Sequence, residues 1–438
     1  MVGVVKRSGL RFAMITTFYP PYHFGGDGNY VRQLAHILVK RGHEVDVIHD
    51  IDAYRLLSGK PDPDPIVEPP GLQVFGMRSR AGAVSCIATQ QFGRPLFHGK
   101  EIARILRDRQ HHVIHYHNIS LIGGPGILGY GEAIKIYTAH EHWLVCPTHV
   151  LWRHNREPCN KRQCLRCSII YRRPPQLWRS SGLLSRQMRH VDEFCSLSHF
   201  SANKHREYGF RREMEVLPSF IPDVAPVTAA AIEAQQSAYR PYFLFVGRLE
   251  KIKGLQDVIP LFRDKPPADL LIVGGGEYEA TLRKAAGNAE NIHFIGKMDP
   301  EQIQPLYAAA IAVILPSICY EVFPLVALEA FREGTPIIAR KLGPFPEIIE
   351  ASKAGLLFDS SEELERAIHR MVNDRDFRSE TGVAAGQAFS SLWSESAYVR
   401  KYFSLIRRIA DRRGRRDVLE IVARSGECEA EQAGSRSG

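Results

Sequence analysis

At 438 residues the chain has room for two domains of ordinary size, and its 44% hydrophobic and 24% charged content excludes a disordered or fibrous protein. No apolar run approaches the ~18–20 residues needed to span a bilayer. The eight cysteines form no secreted disulfide framework, so a reducing cytoplasm is the expected setting; the formal charge of +9 is unevenly placed.

Strand-like and helix-like stretches alternate along the chain, the pattern of parallel α/β sheets. Lys6 and Arg7 precede an apolar stretch, 12–18, that is too short and too polar for a signal-peptide core and reads as part of a buried strand at 11–18. A helix at 29–41 and a strand at 44–49 follow, then a Pro-rich loop over 51–70, a strand at 72–77, a helix near 100–109 and strands at 113–117 and 133–139. A strand at 195–198, a helix from Ala202 and a strand at 214–217 close this half. Residues 19–24 separate the first strand from Gly25, Gly26 and Gly28, whereas a dinucleotide fingerprint needs an immediate tight turn, so Asp50 after the second strand does not make an NAD site.

Pro, Ala and Gln replace strand patterning over 218–241, which marks a boundary. A second alternating half runs from Tyr242 to about Phe389, followed by a helix at 395–409. The expected domains are 1–222, carrying a Cys-rich basic insert at about 143–189; 241–390; a connecting helix at 391–411; and a frayed or disordered tail at 412–438.

The segment from Pro316 to Glu329 carries most of the functional signal. Glu321 follows an apolar strand-like run at 310–315, and Glu329 lies eight residues later, about two turns into a following helix that Pro324 is suited to open. One carboxylate thus marks a strand–helix crevice, where parallel sheets bind ligands, and the other the helix beside it. Upstream, a strand ends in Gly247 and Arg248, with Lys253 and Gly254 opening the next helix. A strand at 270–273 runs into Gly274, Gly275 and Gly276, another ends at Gly296 and Lys297, and Glu347 follows a strand at 335–340.

In order and spacing, this series resembles the donor-binding half of the retaining glycosyltransferases of family 4, which have the GT-B fold: two Rossmann-like parallel-sheet domains facing across a cleft, with a C-terminal helix crossing back to the first. The resemblance implies transfer of a sugar from a nucleoside-diphosphate-sugar to a glycan or lipid-linked hydroxyl, with retention and without a catalytic metal. It implies that Arg248 and Lys253 meet the leaving diphosphate and that Glu321 holds the donor sugar. Glu329 would hold the ribose, Lys297 would flank the base, and Gly247 and Gly275 would let the backbone approach the nucleotide. A Gly-rich loop in the family corresponds to Gly26 and Gly28, and a His-acid pair after a first-domain strand to His140 and Glu141, with His140 near the reacting sugar. His117 is a further candidate on the acceptor side. Pro324 and Pro344 stand where the family often has Gly; Pro324 offers no N–H, so diphosphate contacts there fall to Phe323 or Leu325. Two other readings use the same residues: a glycoside hydrolase or phosphorylase with Glu321 and Glu329 as its acid/base pair, and a nucleotide-sugar-binding protein without activity.

Cys146, Cys159, Cys164 and Cys167 form C-x12-C-x4-C-x2-C. The spacing can supply a structural zinc site of four thiolates; reduced or redox-labile thiols and a plant-type iron–sulfur spacing are the other readings. From Arg153 to Arg189 ten basic residues stand against one acid, Glu157, interleaved by Trp152, Tyr171 and Trp178. A second group comprises Arg407, Arg408, Arg412, Arg413, Arg415 and Arg416. Both read either as solvated surfaces or as attraction to anionic lipid, worth ~1 kcal/mol per basic residue near the bilayer, and the aromatics suit a membrane interface. No nucleic-acid motif accompanies them. The expected partners are a nucleotide-sugar, a glycan or lipid-linked acceptor and the anionic inner face of a membrane.

Overall fold

A computed structural model describes residues 9–264 and 268–425. The first half gives strands β1 (Arg11–Ile15), β2 (Glu44–Asp50), β3 (Leu72–Met77), β4 (Val113–Tyr116), β5 (Ile134–Ala139), a small hairpin of β6 (Trp152–Arg153) and β7 (Glu157–Pro158), then β8 (Glu193–Ser196) and β9 (Glu215–Val216). Apart from the antiparallel hairpin they form one parallel sheet in the order β3-β2-β1-β4-β5-β8-β9. The second half gives β10 (Tyr242–Val246), β11 (Asp269–Val273), β12 (Ile292–Gly296), β13 (Ala312–Leu315), β14 (Ile337–Arg340) and β15 (Gly355–Phe358), parallel in the order β12-β11-β10-β13-β14-β15. Helices cover both faces of each sheet, so central strands such as Phe12 to Ile15 and Leu270 to Val273 are apolar without alternation. The strand order reverses between β1 and β4 and again between β10 and β13. Each sheet thereby opens a crevice at the carboxyl ends of those strands.

The helix Glu395–Arg412 crosses back and becomes part of the first domain's core. Tyr398, Tyr402, Phe403, Ile406 and Ile409 are buried with Phe12, Met14 and Tyr30, and the Tyr402 hydroxyl meets His115 Nδ1 at 3.0 Å. Two sequence expectations are corrected here, the frayed tail and the Pro-rich loop. The tail does not fray at 412, because the helix Arg416–Arg424 packs Val418 and Val422 into the same core; the end of the expected tail, 426–438, lies outside the described residues. Of the six C-terminal arginines, Arg408, Arg412 and Arg413 pair with Glu215, Glu193 and Asp192 at 3.2, 3.0 and 3.0 Å and clamp the crossing helix to the sheet edge. The Pro-rich loop begins as a helix, Ile51–Ser58, because the Asp50 carboxylate accepts the Ala53 N–H at 3.0 Å and supplies an N-cap.

The boundary segment carries its own exposed helix, Ala229–Ala238. Among the described residues, no helix is long and apolar enough to cross a membrane.

Candidate active site

The two crevices face each other around one cavity of about 830 Å³. On the second-domain side, β10 delivers Arg248 and the loop after it Lys253, while the loop after β13 delivers Glu321, Phe323 and Leu325. Gly254 turns with φ +76°, and a Cβ there would lie 1.9 Å from the Pro316 carbonyl oxygen, so only glycine lets this loop close against the one bearing Glu321. The result is an ion pair: Lys253 Nζ donates to Glu321 Oε1 at 2.6 Å, and Ser317 Oγ donates to the same oxygen at 2.8 Å. Burial alone pushes the Glu321 carboxyl up, but the Lys253 ammonium outweighs it and holds the group below its usual range. Burial likewise pulls Lys253 down and Glu321 more than restores it, so both are charged. Arg248 is exposed toward the cleft and paired with Glu250 at 2.6 Å.

Pro324 is the N-cap of the helix Leu325–Arg332, one position earlier than the first helical turn the sequence suggested. Phe323 and Leu325, either side of it, line the cavity where this helix leaves its first N–H groups without intrahelical partners. Glu329 lies in the second turn of that helix and is not a cavity-lining residue. It accepts the Tyr307 hydroxyl at 2.5 Å, and burial holds its carboxyl above the usual range. Gly247, Gly275 and Lys297 likewise stand outside the cavity wall, grouped at the carboxyl ends of β10, β11 and β12, where a Cβ on Gly275 would sit 3.3 Å from Lys297 Cε. Glu321 and Glu329 therefore do not share one cavity wall, which disfavours the hydrolase reading of the pair.

On the first-domain side, the glycine loop opens the helix Gly26–Lys40. Gly26 lines the cavity within reach of Leu325, a Cβ there lying 3.5 Å from Leu325 Cδ1, whereas Gly28 is buried behind it. His140 follows β5 and lines the cavity. Its Nε2 meets His117 Nδ1 at 3.0 Å, and the Tyr30 ring packs 4.7 Å away. Burial brings the His140 imidazole down to about 4, against the opposing pull of Glu141, so the ring is neutral near pH 7. His117 is fully enclosed and held well below its ordinary value by burial and its histidine neighbours, so it supports His140 rather than lining the cleft.

The sequence reading did not single out Asp27 or Asn118. Asp27 lines the cavity in the first turn of the glycine-led helix, accepts Asn118 Nδ2–H at 3.2 Å, and is raised by burial and then by Glu141. The glycines around it drew attention to the backbone, but the acid between them was the available signal. Arg172, Arg173, Leu56, Leu57 and Ile87 complete the outer wall.

The four insert cysteines are brought together around a separate small void of about 20 Å³, beside the β6–β7 hairpin and the helix Cys164–Ile170. The aromatic residues of the basic insert are not displayed: Trp152 and Trp178 are buried, and Trp178 packs 5.4 Å from Trp143 with Arg179 over its ring. The exposed apolar residues of this region include instead Leu165, Ile169, Ile170 and Leu177, with Val84, Ile87 and Phe92 of the helix Ala83–Phe92.

Comparison with known proteins agrees with this architecture. A family model described as Glycosyltransferase Family 4 matches residues 24–223, and one described as Glycosyl transferases group 1 matches residues 231–387. The D-inositol 3-phosphate glycosyltransferase of Corynebacterium diphtheriae is 31% identical over 169 residues, 35% of this chain and 39% of that protein; the chain thus spans about two fifths of that relative's length. The structure of sucrose-phosphate synthase from Thermosynechococcus elongatus superimposes with a TM-score of 0.69 at 21% identity, over 92% of this chain and 100% of that one. The Anabaena protein HepE, solved with UDP and glucose, gives 0.63 at 17% identity, over 91% and 99%. With one glycosyltransferase family model matching each domain, the chain is similar to the glycosyltransferases of the family 4 type, and its two facing parallel-sheet domains have the GT-B fold.

Proposed function

We propose that the protein moves a sugar from a nucleoside-diphosphate-sugar to a hydroxyl acceptor with retention of anomeric configuration, in the synthesis of a glycolipid or envelope polysaccharide. The observation that carries this reading is the Lys253–Glu321–Ser317 group facing His140 across one cavity. A departing diphosphate gathers negative charge, and Lys253 and Arg248 can each turn from a carboxylate to meet it; one ion pair ~4 Å apart is worth ~4 kcal/mol at an effective dielectric near 20. Two such cations and the first N–H groups of the helix Leu325–Arg332 balance a diphosphate without a divalent ion. Release of Lys253 leaves Glu321 free to accept the sugar's hydroxyls. Glu329 is assigned to the ribose and Lys297 to the edge of the base. Neutral His140 donates or accepts one hydrogen bond at the reacting sugar. The acceptor hydroxyl attacks from the leaving-group face, and its proton passes to the departing phosphate oxygen.

The outer wall favours an amphiphilic acceptor. Leu56, Leu57 and Ile87 line the cavity and are also exposed, and the apolar strip continues over Val84, Phe92 and Leu177 beside the basic insert. Such a strip suits the lipid part of an acceptor held at an anionic bilayer.

The test is a panel of UDP-, GDP- and ADP-sugars scored first for thermal stabilisation and then for slow hydrolysis without acceptor. A ligand at 100 times its dissociation constant adds ~2.7 kcal/mol, so the donor stands out. A donor that binds but is neither hydrolysed nor transferred to any lipid or glycan acceptor would replace the transferase reading with that of a binding protein.

A further inference from the structure

We propose that Cys146, Cys159, Cys164 and Cys167 hold one structural zinc ion as a tetrathiolate, and that this ion fixes the first-domain wall of the cleft. All four side chains line one void of about 20 Å³, room for about one small occupant. They reach it from a compact frame. Cys146 ends the turn after β5, Cys159 directly follows the β6–β7 hairpin, and Cys164 and Cys167 occupy the first turn of the helix Cys164–Ile170, one helical turn apart. The His154 backbone N–H already points at Cys167 Sγ at 3.5 Å, the kind of outer contact that tunes a metal-bound sulfur. Zinc with four thiolates carries a net charge of −2, and Arg153 and Arg162 line the same void to offset it.

The segment also needs such a clamp. Its buried apolar cluster amounts to Cys146, Leu151 and Cys159, with Tyr208 and Tyr320 packed against it. His149, Leu151, His154, Asn155 and Arg172 all sit at positive φ, so the loop is conformationally costly as well as poor in core. All four thiols are free of disulfides. Among the described residues, no three of these sulfurs lie within 4.8 Å of one another. A tetrathiolate with Zn–S bonds of ~2.3 Å therefore draws them inward as the ion enters and the thiol protons pass to solvent.

The flanks of this module link it to the cleft. Pro147 to Val150 directly follow Cys146, Arg172 and Arg173 follow the cysteine-bearing helix after its C-cap Tyr171, and both stretches line the main cavity. Arg173 Nη1 donates to the Thr148 carbonyl at 3.3 Å, tying the two flanks together. Tyr320, packed on the module, immediately precedes Glu321. The metal site stands independently of the sugar-transfer reading, whereas its effect on acceptor binding rests on that reading.

The experiment measures metal content and X-ray absorption of the full-length protein from zinc-supplemented cells, beside the Cys164→Ser/Cys167→Ser variant, and titrates metal-stripped wild type with Co(II). The expected result is one zinc per chain with four sulfur scatterers, thiolate-to-Co(II) charge-transfer bands on titration, and zinc lost from the variant. In the transfer assay, zinc removal lowers acceptor-dependent turnover at least ~10-fold while the donor-induced thermal shift remains. Zinc-free protein that develops no cobalt–thiolate bands overturns the proposal, as does zinc bound through nitrogen or oxygen, or zinc retained by the double variant. If that variant does not fold, the wild-type absorption and cobalt spectra decide alone. A tetrathiolate zinc whose removal leaves transfer unchanged would keep the metal site and overturn its role in the cleft.

Discussion

Replacing Lys253 with Met isolates the charge pair at the centre of the cleft. The two charged atoms are 2.6 Å apart, and the side chains are 22% and 18% exposed, between the surface and interior limits. At an effective dielectric near 20 their attraction at this distance is on the order of 6 kcal/mol, and breaking a fully buried pair by removing one partner costs about 3–5 kcal/mol. With partial solvation, Lys253→Met should cost about 3 kcal/mol at pH 7.5. The loss must depend on pH in one direction. In the wild type Glu321 lies below its ordinary range, so its pairing contributes stability above the unfolded carboxyl value and loses it as pH falls through the folded one. In the variant only the Ser317 hydroxyl and Arg248 remain to oppose the burial that raises Glu321, so most of its penalty stands at neutral pH and fades toward pH 4. Urea denaturation at pH 4.5 and 7.5, on Lys253→Met, Glu321→Gln and the double variant, measures this directly. The double variant should regain most of the stability lost in Lys253→Met. Equal losses at both pH values, or strict additivity in the double variant, would refute the reasoning.

Glu329→Ala should weaken donor binding about tenfold or more in calorimetry, whereas His140→Asn should lower turnover and leave donor affinity within about twofold; the reverse pattern would exchange their roles. Because His140 titrates near 4 in the free protein, kcat/KM should show no acidic limb near pH 6.5 belonging to it, which a pH profile of wild type against His140→Asn checks. Asp50 is fully buried, with one oxygen unpartnered and its carboxyl raised to about 7 by burial. It holds its proton more tightly when folded, so its burden on stability is absent below the unfolded value and grows as pH rises to about 7. Asp50→Asn, which keeps an acceptor for the Ala53 N–H, should therefore be roughly 2–4 kcal/mol more stable than wild type at pH 8 and no more stable near pH 4 in denaturant melts. Tyr402→Ala should cost about 3–5 kcal/mol by opening the first-domain core, while the retained donor-induced thermal shift reports an intact second domain.

The sheets were legible because both are covered on two faces: Phe12 to Ile15, Phe243 to Val246 and Ala312 to Leu315 read as unbroken apolar runs. Glu321 and Lys253 were legible because glycine and proline fix where their loops turn. Less visible was everything decided by which partner a charged or aromatic residue meets far along the chain. Arg408, Arg412 and Arg413 look like a basic patch until Glu215, Glu193 and Asp192 are placed opposite them. Trp152 and Trp178 look like interfacial anchors until the insert folds over them. The helix Arg416–Arg424 is rich in arginine yet packs through Val418 and Val422, an amphipathic spacing four residues long that composition alone obscures. Asp27 was hidden by its glycine neighbours, since its importance comes from Asn118 and Glu141, which lie far from it in sequence.

The crossing helix has a consequence for how the molecule is made. Phe12, Met14 and Tyr30 precede the whole second domain in the chain, but the side chains that complete their packing, Tyr398 to Val422, are synthesised after its last strand. During translation the second domain has all of its strands before the first domain has its full core. The earlier domain must therefore wait, with an open apolar groove, for the helices Glu395–Arg412 and Arg416–Arg424. A nascent chain in which residues up to Trp393 have emerged but Tyr398 to Val422 have not would thus hold a finished second domain and an unfinished first one, making this the stage at which holdase chaperones have most to bind.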